Sequence, residues 1–168
     1  MKFREIDPLD FVFNLLLEES GSVSMVMFMM CEEDVRRVMK YNASMIGTDS
    51  IDLSYGKPHP RAYGTYPRVL GKYVREEGIL TLEEAVRKMT CLPASKLGLK
   101  DRGLVRKDMW ADIVVFDPER IVEKGTYFNP RQYPEGIEWV LVNGEVVVEE
   151  GRHTGTLAGK VLRKKGLR

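Results

Sequence analysis

Hydrophobic positions in the first thirty residues predict a helix followed by a buried strand. Asp7-Pro8 is typical of a helix start, with aspartate as the N-cap and proline at the first helical position. Apolar residues then recur at helical spacing as far as Gly21, which ends the element. The run VSMVMFMM, residues 23–30, is continuously apolar and has the length of a strand buried on both faces, as in a parallel sheet. Its methionines leave a buried helix open as the alternative.

The next seventy residues continue this alternation. EEDVRRVMK, residues 32–40, predicts a short helix because acids occupy its first turn. SMIGT, residues 44–48, is a second strand candidate and ends at Asp49. After a loop, apolar residues at helical spacing predict a helix stopped by Gly78, and TLEE at 81–84 is a capping box that opens a further helix. Helices that alternate with short apolar runs predict an α/β fold with parallel strands and helical crossovers.

The remainder of the chain is β-rich. ADIVVFDP, residues 111–118, predicts a strand ended by proline. IEWVLVNGEVVVEEG predicts two strands joined at Asn143-Gly144, a dipeptide typical of a tight hairpin turn. The pattern therefore divides the chain into an α/β unit over residues 1–103 and a small antiparallel unit over residues 104–168.

Composition excludes two classes of partner. The chain has 168 residues, the length of one domain or of one domain with an appendage. It carries 26 Lys and Arg against 25 Asp and Glu, so no basic field favours nucleic acid. No apolar span approaches the ~20 residues of a membrane helix. Cys31 and Cys91 match no metal-binding spacing, and two cysteines make no disulfide framework, which favours a reducing, cytoplasmic location.

The candidate chemistry lies in the loop after residue 48. Asp49 follows a predicted strand, at the position where α/β proteins carry catalytic groups. A carboxylate there can bind a metal or act as a general base, and the alternative is an Asx-turn or a helix cap. In KPHPR, prolines on both sides stiffen the backbone of His59, and Arg61 can grip a carboxylate with two hydrogen bonds. The alternative is an ordinary loop histidine beside a surface arginine.

Four motifs in a fixed order point to a known family. GTD, HPR, GTYPRVLG and ADIVVFDP occur in sequence, and NPRQYPEGIEWVLVNGEVVVEEGRHTG follows them. In this order the motifs resemble the C-terminal part of the N-acyl-D-amino-acid deacylases, or D-aminoacylases, of the amidohydrolase superfamily. The resemblance extends over residues 7–163. One departure is KDMWADIVVFDP, in which Asp108 stands where glycine is expected.

The resemblance implies a fold and roles for three residues. Residues 1–103 would be the C-terminal portion, the last two βα units, of a metal-dependent (β/α)₈ TIM barrel. Residues 104–168 would be part of a composite β-sandwich. Such enzymes hydrolyse the amide of N-acyl-D-amino acids. By this resemblance Asp49 sits beside zinc and moves a proton from the attacking water to the leaving amine, Arg61 binds the substrate carboxylate, and His59 shapes the substrate-binding loop.

Much of the family's site is absent from this sequence. The family's metal ligands include a His-x-His pair, a cysteine and two further histidines, and none occurs here in a matching context. Two strands also cannot close a barrel of eight. We therefore expect zinc for the complete enzyme and none bound by this chain alone, with Asp49 as one ligand of an incomplete site. The expected partner is a separately encoded N-terminal half or a second copy of the chain. The alternative is a non-catalytic structural protein or a truncated relic that self-associates.

Overall fold

A computed structural model describes residues 7–23, 25–51 and 56–163, which divide after Met30 into two compact units. The first unit contains helix α1, Pro8–Glu18. The Asp7 carboxylate accepts hydrogen bonds from the backbone N–H groups of Leu9 at 2.8 Å and Asp10 at 3.4 Å. The predicted helix start is therefore confirmed, and Asp7 satisfies two backbone donors that a helix leaves unpaired.

The two predicted barrel strands do not form in the described chain, and the partial barrel is not confirmed. Residues 25–30 and 44–50 form neither strand nor helix, and every described side chain of the apolar run 23–30 is exposed rather than buried. A strand is defined by hydrogen bonds to a neighbouring strand. Within the described ranges no such neighbour pairs with either segment.

The second unit begins with the helices that form its core. They are α2, Glu32–Lys40; α3, Arg61–Arg68, continued by a π-helical segment, Val69–Glu76; α4, Leu82–Met89; and α5, Cys91–Leu97. The predicted helix start at Thr81 is confirmed, because the Thr81 hydroxyl accepts the backbone N–H of Glu84 at 3.2 Å, while the Glu84 carboxylate accepts from Arg87. The main buried cluster lies between the π-helical segment, α4 and the 121 region, and consists of Val69, Leu70, Tyr73, Leu80, Ala85 and Ile121.

Gly71 allows the π-helical segment to approach the chain at Ile121. A Cβ atom at residue 71 would lie 2.7 Å from the Ile121 carbonyl oxygen, closer than real Cβ contacts. Arg75 Nη1 donates to the same oxygen at 2.7 Å and to the Pro118 carbonyl at 3.1 Å. The helix that begins at Arg61 is thereby attached to residues 118–121 of the β-rich region.

The β-rich region forms one antiparallel sheet. Its strands are β1, Ile113–Phe116; β2, Ile137–Val142; β3, Glu145–Glu149; and β4, Arg152–His153, in the order β1-β2-β3-β4. Asn143 and Gly144 have φ angles of 51° and 87°, as a type I′ turn requires. The predicted strand at 111–118 and the predicted hairpin are therefore confirmed. The unit boundary predicted between residues 103 and 104, and the composite sandwich, stay predictions.

Two further features concern the environment of the protein. Among residues 7–23, 25–51 and 56–163, no helix is both long enough and apolar enough to cross a membrane. Cys31 is exposed, Cys91 is half-buried, and both are free thiols.

Candidate functional site

Asp49 and Arg61, the two residues singled out most strongly by the sequence, lie next to each other. Arg61 Nη2 is 3.2 Å from Asp49 Oδ2. The Asp49 side chain is 90% exposed and the Arg61 side chain 44% exposed, so the ion pair adds little stability. Asp49 has a φ angle of 45°, a left-handed conformation that aspartate adopts more readily than most residues. The structure thus places one carboxylate and one guanidinium together on an accessible surface.

His59 accepts a hydrogen bond from the first turn of the helix that carries Arg61. Its Nδ1 atom accepts the backbone N–H of Arg61 at 3.0 Å, in the way that a capping side chain satisfies an unpaired donor. Pro58 and Pro60 on either side are buried. The stiff KPHPR loop of the prediction is therefore fixed by proline packing and by one histidine nitrogen.

The surroundings of His59 disfavour its charged form. Burial, followed by the positive charge of Arg61, lowers the pKa of His59 below its usual 6.5. Because Nδ1 accepts a hydrogen bond, the proton of the neutral ring lies on Nε2. The His59 ring packs against the ring of Tyr127 in an edge-to-face geometry, with centroids 5.3 Å apart and planes at 84°.

Tyr127 belongs to segment 125–133, to which sequence reasoning assigned no role. Arg131 of this segment donates from Nη1 to the Gly56 carbonyl at 2.5 Å. Tyr133 packs edge-to-face on Tyr63 of α3, with centroids 5.9 Å apart. A signal was present in the sequence, because GTYFNPRQY has the same aromatic and proline-rich character as the loop it contacts.

The segment that leads to Asp49 is anchored by a buried lysine. Lys88 of α4 is fully buried, and its Nζ donates to the carbonyl of Tyr41 at 2.5 Å, the carbonyl of Ser44 at 3.2 Å and the Ser44 hydroxyl at 3.1 Å. The Lys88 carbonyl accepts the N–H of Ile46 at 3.2 Å. Residues 41–46, immediately before Asp49, are therefore attached to α4.

A metal centre needs more ligands than Asp49 alone. In the part of the chain that the structure describes, no group of three His, Cys, Asp or Glu side chains could hold a metal ion. A catalytic zinc needs about three protein ligands, and the sequence-based prediction offers Asp49 as one. The described residues thus do not fit a metal centre by themselves, and we derive no reaction step through a metal.

Comparison of the sequence with known proteins shows the family of this chain. The amidohydrolase family pattern matches residues 11–148. The chain belongs to the amidohydrolase family. This amidohydrolase chain is 44% identical over 148 residues to a D-aminoacylase from Alcaligenes xylosoxydans xylosoxydans and 43% identical over 139 residues to an N-acyl-D-glutamate deacylase from the same organism. The alignments cover 88% and 83% of this chain but 30% and 28% of those relatives. The chain therefore spans less than a third of the length of the curated relatives it matches.

Solved structures agree with this assignment. A crystal structure of D-aminoacylase superposes with a TM-score of 0.78 at 46% identity, covering 82% of this chain and 29% of the other. An N-acyl-D-glutamate deacylase from Bordetella bronchiseptica, complexed with zinc and a phosphonate inhibitor, superposes with a TM-score of 0.68 at 41% identity, covering 74% of this chain and 27% of the other. The resemblance predicted from the loop and C-terminal motifs is confirmed.

Proposed function

We propose that this chain is the C-terminal portion of a metal-dependent amidohydrolase that hydrolyses the amide bond of N-acyl-D-amino acids. The observation that carries the proposal is the 3.2 Å approach of Arg61 to Asp49 on an exposed surface. It occurs in a chain that is 44% identical to a D-aminoacylase. Besides the attacking water and the expected zinc, this hydrolysis needs an acid–base group for proton transfer and a cation for the substrate carboxylate.

Each of the three loop residues has a distinct role in this proposal. Asp49 accepts a proton from the attacking water and returns it to the amine that leaves when the C–N bond breaks. Arg61 holds the α-carboxylate of the substrate, which takes the place of the Asp49 carboxylate as its anionic partner. His59 acts on the binding loop through its bond to the Arg61 backbone.

The rest of the site would come from outside the described residues. We expect zinc in the complete enzyme, with Asp49 as one ligand and an N-terminal portion of the protein supplying the others. Residues 1–103 would then contribute the last two βα units of the barrel, with strands at 23–30 and 44–48 that form beside neighbours from that portion. A cytoplasmic location remains part of this proposal, since both cysteines are free.

Reconstitution tests the role of Asp49. This chain is mixed with an N-terminal portion that bears the His-x-His pair, and hydrolysis of an N-acyl-D-amino acid is measured. Asp49→Asn should lower the rate about 10²- to 10⁴-fold, the usual contribution of a positioned acid–base group. Asp34→Asn, which changes an exposed acid of α2, is the matched control and should leave the rate unchanged. An active mixture that is insensitive to Asp49→Asn would show that the proton-transfer assignment is wrong.

The same mixture tests Arg61. Arg61→Lys keeps the charge but loses the planar pair of donors, so KM for the substrate should rise about tenfold with a smaller change in kcat. Arg106→Lys, at an exposed position, is the control. An unchanged KM in the Arg61 variant would remove this residue from the carboxylate site.

The exposed apolar run favours a second candidate, a non-catalytic protein that self-associates. Met25, Phe28 and Met30 are 77%, 78% and 80% exposed, and a contiguous apolar patch of this kind marks an interaction surface. This candidate predicts a stable homo-oligomer by size-exclusion chromatography with light scattering, together with no hydrolysis in any mixture.

A further inference from the structure

We propose that segment 125–133 positions the carboxylate-binding arginine, and that it does so through the contact of Tyr127 with His59. Tyr127 is in this view a positioning residue, because it acts on Arg61 through His59. The inference rests on the proposed role of Arg61. It names two residues, Tyr127 and Arg131, that hold the loop before Arg61 in position.

The segment contacts the substrate-binding loop at two points. The ring of Tyr127 meets the ring of His59 at 5.3 Å with planes at 84°, and Arg131 Nη1 donates to the Gly56 carbonyl at 2.5 Å. Gly56 and His59 both precede Arg61 on the same loop. The segment therefore holds the loop just before the helix that begins at Arg61.

The contact with His59 reaches Arg61 through one hydrogen bond. His59 Nδ1 accepts the Arg61 N–H at 3.0 Å only while the imidazole plane points that nitrogen at the backbone. Edge-to-face packing restricts the orientation of both rings. Rotation of the His59 ring away from Tyr127 would move Nδ1 and leave the first turn of α3 without this acceptor.

The segment is itself fixed by internal bonds, so it can act as a rigid support. Thr126 and Asn129 exchange two hydrogen bonds of 3.0 Å, one between their backbones and one from the Asn129 N–H to the Thr126 hydroxyl. Gln132 Nε2 donates to the carbonyls of Lys124 at 2.9 Å and Asn129 at 3.1 Å. None of these bonds involves His59, so a change at Tyr127 can alter the loop contact without dissolving the segment.

Nuclear magnetic resonance on the full 168-residue chain tests the inference without reference to activity. Tyr127→Ala should remove the preferred Nε2–H tautomer of His59 and speed hydrogen exchange of the Arg61 amide about two- to tenfold, the range that one aromatic pair supplies. Tyr127→Phe keeps the ring and should resemble the parent chain. Phe128→Ala removes the adjacent, 87% exposed ring and is the matched control. The resonances of His153 should not change in any variant.

The reconstituted mixture supplies the second readout. Tyr127→Ala should raise KM for the N-acyl-D-amino acid two- to tenfold with little change in kcat, and Tyr127→Phe should restore KM. If the parent mixture is inactive, the proposed function fails while the resonance experiment still decides the Tyr127 contact. If Tyr127→Ala leaves the His59 tautomer and Arg61 exchange unchanged, the inference is overturned even in an active mixture.

Discussion

At the scale of single residues, His59 makes the stability of the chain depend on pH. Burial and the charge of Arg61 lower its pKa below 6.5 in the folded chain, whereas the unfolded chain protonates at about 6.5. Between these two values the unfolded state binds more protons, so the free energy of unfolding rises with pH there. The contribution is complete above pH 6.5 and is lost as pH falls through the lower, folded pKa.

The sign of this shift can be measured directly. A proton-resonance titration of His59 should have its midpoint below 6.5, and Arg61→Gln should raise the midpoint only in part, because burial is the larger cause. A midpoint at or above 6.5 would contradict the lowered pKa of His59 and the pH dependence of stability that follows from it.

Lys88 is the residue on which we expect the largest effect on stability. Lys88→Met would leave the carbonyls of Tyr41 and Ser44 without their buried donor, at a cost of about 2–3 kcal/mol in the free energy of unfolding. Chemical denaturation measures this cost. Lys96→Met, at an exposed position of α5, should change stability by less than about 0.5 kcal/mol. Equal effects of the two substitutions would show that the buried ammonium does not anchor the segment before Asp49.

At the scale of elements, Gly71 decides how closely the π-helical segment packs. Alanine is favoured over glycine by about 1 kcal/mol in a helix interior, but its Cβ would lie 2.7 Å from the Ile121 oxygen. Because backbone resists such displacement, Gly71→Ala should lower the free energy of unfolding by about 1–3 kcal/mol. Gly159→Ala, with nothing within 4 Å of the new methyl group, is the control. A stabilised Gly71 variant would mean that the helix and Ile121 can separate at no cost.

Elements defined by local chemistry could be predicted from sequence, and elements that need a distant partner could not. Asp7, Thr81 and the Asn143-Gly144 pair act within a few residues, and the helices and hairpin they specify are present. The strands expected at 23–30 and 44–48 need neighbours that the described chain does not supply. In the candidate site too, local features could be predicted and distant contacts could not. Asp49 and Arg61 were found through one loop motif, whereas the contact between His59 and Tyr127 joins positions 68 residues apart that no local pattern links.

At the scale of the whole molecule, the exposed apolar run predicts a structural change on assembly. Residues 25–30 belong to no strand in the described chain and their apolar side chains are exposed, and an exposed apolar segment of this kind is an aggregation hazard unless it is covered. Hydrogen exchange of these amides should slow strongly when the chain is mixed with the His-x-His-bearing portion. Amides of β2, already paired with β1 and β3, should change little. Fast exchange of residues 25–30 in an active mixture would exclude a barrel strand at this position.

At the same scale, the sequence contains only part of the proposed site. The chain covers 30% of a D-aminoacylase, includes the carboxylate and guanidinium of the proposed site, and among its described residues has no cluster able to hold a metal. Under the proposed function, the remaining groups of the site come from residues outside this sequence.

Hydrolysis of matched N-acyl-D- and N-acyl-L-amino acids tests this claim most directly. The measurement compares the chain alone, the His-x-His-bearing N-terminal portion alone and their mixture. We predict hydrolysis of the D-enantiomer by the mixture and by neither part alone, with the L-enantiomer hydrolysed far more slowly. A mixture in which both parts are folded and associated, yet hydrolyses neither enantiomer, would contradict the account.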